Sequence, residues 1–108
     1  MDQKPSVGRI VHYKLTEQDA QSINRRRDDF GNTKDTTVWA AGAQAHFGNR
    51  VIKGHVFPMV VCVVWPDEHG TNLYGVNGQV LLDGNDSVWV TSARQGDEPG
   101  QWNWPPRV

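Results

Sequence analysis

Arg25-Arg26-Arg27 is the densest charge cluster in the chain, and a guanidinium is the side chain best shaped to take a phosphate or carboxylate through two parallel hydrogen bonds. Three consecutive residues on a helix fan through ~200°, so the three cannot all face one phosphate. Asp28 and Asp29 follow at once. The cluster is therefore either a solvated face with internal charge pairing or a site in which one or two arginines meet an anion. Arg27 falls in line with Ala20, Ile23 and Phe30 at helical spacing, which makes it the arginine with the strongest claim to a specific role. Trp39, Trp65, Trp89, Trp102 and Trp104 offer a second kind of chemistry, because tryptophan presents a large rigid face on which a base can stack. In Val88-Trp89-Val90 the valines share one face of a strand and Trp89 takes the other. Burial under a helix or the tail is the simpler reading for Trp89, and an exposed stacking platform is the alternative. Trp102 and Trp104 alternate about Asn103 in the same way. His12 beside Tyr13 is either a hydrogen-bonded core histidine or part of a site. The candidate ligand-binding set is thus His12, Tyr13, Arg25, Arg26, Arg27, Trp89, Trp102 and Trp104.

Other chemistries have little support. His12, His46, His55 and His69 show no HxH or HExxH spacing, and no CxxC exists, so neither a metal nor a cofactor is expected. Asp83, Asp86, Asp97 and Glu98 sit in Gly-rich segments, where turn formation explains them better than acid–base work. No GxxxxGK[ST], strand-borne GxGxxG or GxSxG occurs. No catalytic residue is assigned, and a binding function is favoured over an enzyme.

The elements that must position these residues read as mainly β. Val7 to Tyr13 is rich in β-formers and predicts the first strand, with Val7, Arg9, Val11 and Tyr13 on one face. The period then changes. Thr16 with Asp19 three residues on resembles a capping box, and the spacing predicts a helix over about Glu17 to Asp29 that stops before Gly31-Asn32, within an insertion spanning about 16–31. Val38 to His46 is ambiguous between strand and helix. Val56 to Trp65 predicts a buried strand, followed by a turn at Pro66 to Gly70. Thr71 to Val76, Gln79 to Leu82 and Ser87 to Ser92 are further strands, separated by hairpin connections at Asn77-Gly78 and Asp83 to Asp86. Residues 96–108, with Pro99, Pro105 and Pro106, form an irregular tail that lies across the sheet on Trp102 or Trp104 and cannot be a central strand. A single domain over 1–108 results, a small antiparallel SH3-like barrel with one helical insertion after the first strand.

Composition narrows the partners. The 108 residues carry a formal net charge of −1 with acids and bases interspersed, which removes the broad attraction that duplex DNA binding relies on. The hydrophobic share of 37% is low for a core of this size, and a homo-oligomer would supply missing burial. Cys62, flanked by valines in Val60 to Val64, reads as a small core hydrophobe in a reducing compartment. Met1 to Ser6 has no apolar signal region and Met59 to Trp65 is too short to span a bilayer, so a soluble protein without membrane partners is expected.

Pro5-Ser6-Val7-Gly8-Arg9-Ile10-Val11-His12-Tyr13, Ile23-Asn24-Arg25-Arg26-Arg27, Gly42-Ala43-Gln44-Ala45-His46, Val76 to Asp86 and Trp102-Asn103-Trp104-Pro105-Pro106-Arg107 together resemble a family of small tailed-bacteriophage and prophage proteins. The resemblance implies expression in the cytoplasm of an infected bacterium. Small phage accessory proteins without catalytic motifs commonly act by binding something of the host. The leading expectation is sequestration, without cleavage, of a nucleotide immune signal such as a cyclic dinucleotide or an ADP-ribose derivative, with stacking on aromatics and phosphate pairing to arginine. An interaction module for protein or single-stranded nucleic acid is the alternative. A nucleotide-cleaving enzyme using His12 or His46 with a turn carboxylate, and a virion component, are further readings.

Overall fold

The computed structural model of the chain describes residues 3–32, 48–67, 70 and 73–107, with side chains throughout except at 29–32. Strand β1 (Ile10–Lys14) leads into helix α1 (Glu17–Asn32), then β2 (Val56–Val64), β3 (Val76–Leu81), β4 (Ser87–Ala93) and a short β5 (Trp102–Asn103). The five strands form one curled antiparallel sheet in the order β4-β3-β2-β1-β5. The mainly β class and the helix after the first strand agree with the sequence expectation. The ambiguous stretch Val38 to His46, with Trp39, lies outside the described residues, as do Thr71, Asn72 and His69.

Alternation accounts for the core. Val11 and Tyr13 of β1, Met59 and Val61 of β2, and Val76 and Val80 of β3 turn to the concave side and are buried, while their neighbours face outward. Ala20 and Ile23 of α1 close over the same core, and the tail adds Trp102, which has no exposed surface. The tail ties both ends of the sheet. Gly100 N donates to Lys14 O at 2.8 Å beside β1, and Trp102 N donates to Arg94 O at 3.0 Å beside the continuation of β4.

Four sequence expectations change. β1 starts at Ile10 because Ser6 to Arg9 is a turn, closed by Arg9 N donating to Ser6 O, with Gly8 at φ 91° as a type II turn requires. Val7 is exposed as a result. Gly31-Asn32 completes the last turn of α1 and does not stop it earlier. Asn77-Gly78 is no hairpin connection but the middle of β3, where a Cβ on Gly78 would lie 2.5 Å from Val60 O and 2.7 Å from Met59 Cγ. That glycine serves close strand approach, not chain reversal. Cys62 is exposed, not a core residue, because it alternates with the inward-facing Met59 and Val61 and so takes the outer face, at the bulge where Val61 pairs with Gly78 and Val63 with Asn77.

Candidate functional site

Helix α1 is fixed at its start and midpoint, and that fixes its arginines. Thr16 Oγ1 accepts from Asp19 N and Asp19 Oδ2 accepts from Thr16 N, each at 3.0 Å, which is the reciprocal capping box. Tyr13 Oη donates to the same Asp19 oxygen at 2.7 Å and ties the helix start to β1. One turn past Ala20 and next to Ile23, Asn24 grips the backbone of Val51 in both directions, Nδ2 donating to the carbonyl at 2.8 Å and Oδ1 accepting from the amide at 2.9 Å. The buried stripe then continues to Arg27.

Arg27 does not end in water. Its Nη1 donates to Asp86 Oδ2 at 2.9 Å, and Arg26 Nη1 lies 3.4 Å from the same oxygen. The side chains of Arg27 and Asp86 are 5% and 2% exposed, that of Arg26 30%. Asp86 is delivered by the β3–β4 connection, in which Leu82 N donates to Asp86 O and Gly84 takes φ 141°. The segment before Val51 crosses this connection at a Gly48–Gly84 bridge. A Cβ on Gly48 would lie 2.0 Å from Asp83 O and 3.0 Å from Arg27 Nη2, so only glycine allows the crossing. Among the described residues two guanidinium groups thus share one carboxylate, and these three side chains together carry a surplus positive charge. Arg26 Nε, Arg27 Nε and Arg27 Nη2 are buried without a hydrogen-bond acceptor among the described residues. Buried donors of this kind ordinarily find a partner, so the cluster is rich in both charge and donors.

An open groove of about 530 Å³ runs beside the cluster, lined by Arg26, Leu81, Leu82, Gly84, Asn85, Asp86 and Ser87. It borders the outer face of the sheet. Register places Ile10 opposite Val60, Val60 opposite Gln79 and Gln79 opposite Trp89, one row across four strands. Leu81 opposes Ser87 in the next row, diagonal to Trp89 on the same face. Trp89 is 48% exposed, so it is the surface platform and not the buried residue that the simpler sequence reading gave. Nothing on the described outer face covers it.

The other candidate residues lie elsewhere. Arg25 is exposed, fanned away from Arg26 and Arg27. His12 is half-buried between Pro58 and Asn103 on the outer face of β1. Tyr13 is buried, and its hydroxyl is held well above the ordinary tyrosine range by burial first, then by its hydrogen bond to Asp19 and the charge there. It offers no ring face to a ligand. Trp102 is wholly buried and donates through Nε1 to Tyr74 O at 2.8 Å, so it is the tail's anchor and not a stacking surface. Trp104 is half-buried, with Trp102 edge-on at 5.5 Å and the Arg9 guanidinium over its ring at 5.1 Å. Of the eight candidates, the structure gathers Arg26 and Arg27, with Trp89 on the adjoining face. It adds Asp86, Leu81 and Ser87, which sequence reasoning left as turn and strand residues. The available signal was an arginine on an apolar stripe, which requires a buried countercharge from somewhere in the chain. His46 lies outside the described residues, and among them no three His, Cys, Asp or Glu side chains gather to hold a metal ion. Among the described residues no helix is long and apolar enough to cross a membrane. No protein-family model matches the chain, and neither the curated proteins nor the solved structures contain a match.

Proposed function

We propose that the chain is a binding protein, not an enzyme, that holds a nucleotide-class ligand in the groove between α1 and the β3–β4 connection. The observation that carries this reading is the convergence of Arg26 and Arg27 on the single carboxylate of Asp86, beside an exposed Trp89. A surplus guanidinium charge at the groove attracts phosphate, and Leu81 with Trp89 gives a base or sugar an apolar wall. A near-neutral chain suits a compact anionic ligand better than a polyanion. The strand order β4-β3-β2-β1-β5, with the tail bonded to both β1 and the end of β4, supports an SH3-like barrel as the scaffold. On its motifs, the role is that of a phage accessory protein in the host cytoplasm that sequesters a nucleotide immune signal.

The test mixes purified protein with cyclic dinucleotides and ADP-ribose derivatives, removes the protein by filtration, and chromatographs the filtrate before and after heat denaturation. A compound that disappears and returns intact on heating is the expected result, and Arg26→Glu should leave it in the filtrate. A compound that returns altered establishes an enzyme. An untouched panel overturns the reading in favour of a protein or single-stranded nucleic-acid partner on the outer face.

A further inference from the structure

The outer edge of β4 makes no backbone pairing among the described residues, and its orientation follows from bonds elsewhere in the sheet. Val61 N donates to Arg9 O, so the backbone groups of Met59 and Val61 turn toward β1 and those of Val60 toward β3. Gln79, opposite Val60, turns back toward β2. Gly78 and Val80 therefore bond β4 through Val90 and Val88. Ser87 and Trp89 are left with their N–H and C=O groups pointing off the sheet. Native edges are usually blunted by charge or proline, yet Ser87–Ala93 contains neither.

We propose that this edge pairs with β4 of a second copy in an antiparallel, two-fold dimer centred on Trp89. The edge is self-complementary at that centre. Trp89 of one copy opposes Trp89 of the other, a cross-strand aromatic pair on the outer face, and Ser87 opposes Thr91. The ribbon from Ser87 to Thr91 carries no charge that would repel a second copy. The bulge that follows Val90, where Val90 pairs with Gly78 but Ala93 with Val76, keeps the ribbon short and in one register. Pairing uses the β4 edge of both copies, so assembly closes at two. The dimer does not rest on ligand binding in the groove.

Sedimentation equilibrium of the full chain tests this. The expected result is a species of twice the chain mass that dissociates on dilution. Trp89→Lys, which sets two ammonium groups at the two-fold axis, should give a monomer with an unchanged far-UV spectrum. A wild-type chain that stays monomeric at every concentration overturns the proposal, as does a dimer that survives Trp89→Lys.

Discussion

Arg27 Nη1 donates to Asp86 Oδ2 at 2.9 Å, a bond between residues 59 positions apart that ties α1 to the β3–β4 connection. Both side chains are almost wholly buried. Removing either partner strands a charge in a medium that solvates it poorly, so Arg27→Ala and Asp86→Asn should each cost about 3–5 kcal/mol. Arg26, nearly a third exposed and farther from the carboxylate, should cost about 1 kcal/mol or less as Arg26→Ala. Urea unfolding midpoints of the three variants check the order. Equal losses for Arg26 and Arg27 would contradict the geometry.

Tyr13 makes stability depend on pH in the alkaline range. Its hydroxyl titrates near about 10 in the unfolded chain and well above that in the fold, for burial, the Asp19 hydrogen bond and the Asp19 charge all favour the protonated form. The folded state then holds this proton more tightly than the unfolded state. The contribution is full below pH ~10 and is lost as pH rises further toward the folded value. Melting temperature should fall above pH ~10 in the wild type and less steeply in Tyr13→Phe. At neutral pH the variant should lose about 1 kcal/mol with the hydrogen bond to the helix cap.

What the sequence revealed and concealed divides by range. Thr16 and Asp19 announced the helix start because a capping box is written within four residues, whereas alternation placed Val11 and Tyr13 on one face without saying that it is the buried one, and the tail's composition left its anchor between Trp102 and Trp104. Asp86 stayed a turn residue because its partner is brought to it only by the crossing at Gly48, which no local pattern encodes. Trp89 misled for a related reason. Alternation says that it opposes Val88 and Val90 but not whether the helix covers the inner or the outer face, and α1 sits with Ile23 on the inner one. Cys62 misled because five β-formers in a row do not say which face is the inner one, and Met59 and Val61 take it.

Gly78 illustrates the same ambiguity and yields a test. Asn-Gly is a strong hairpin signal, yet here the pair sits inside β3, with a hydrogen in place of a Cβ against Val60 O. Gly78→Ala should cost about 1–3 kcal/mol by overpacking, although alanine is the better residue in a regular strand. Gly54, at φ 92° with open space around it, separates the two effects, since Gly54→Ala meets backbone strain without a clash. Thermal melts of the two variants measure each effect by itself.

Asn77 holds two irregularities of the sheet with one atom. Its Oδ1 accepts from Ser92 N at 2.7 Å and from Trp65 Nε1 at 3.0 Å, so the bulge in β4 and the end of β2 are fixed together. Ser92 has φ 54°, the left-handed region that a side chain resists, and the Asn77 bond helps to hold it there. Asn77→Leu fills the same space but leaves the Ser92 donor unpaired next to a buried position, which should cost about 1–3 kcal/mol. Ser92→Gly relieves the strained conformation and should be neutral or stabilising by up to about 1 kcal/mol. The double variant discriminates between the two roles of Asn77. If Asn77 acts by enforcing the left-handed turn, Ser92→Gly should recover part of the loss in Asn77→Leu. If the loss comes from Trp65, the indole emission of Asn77→Leu should shift with no recovery from glycine.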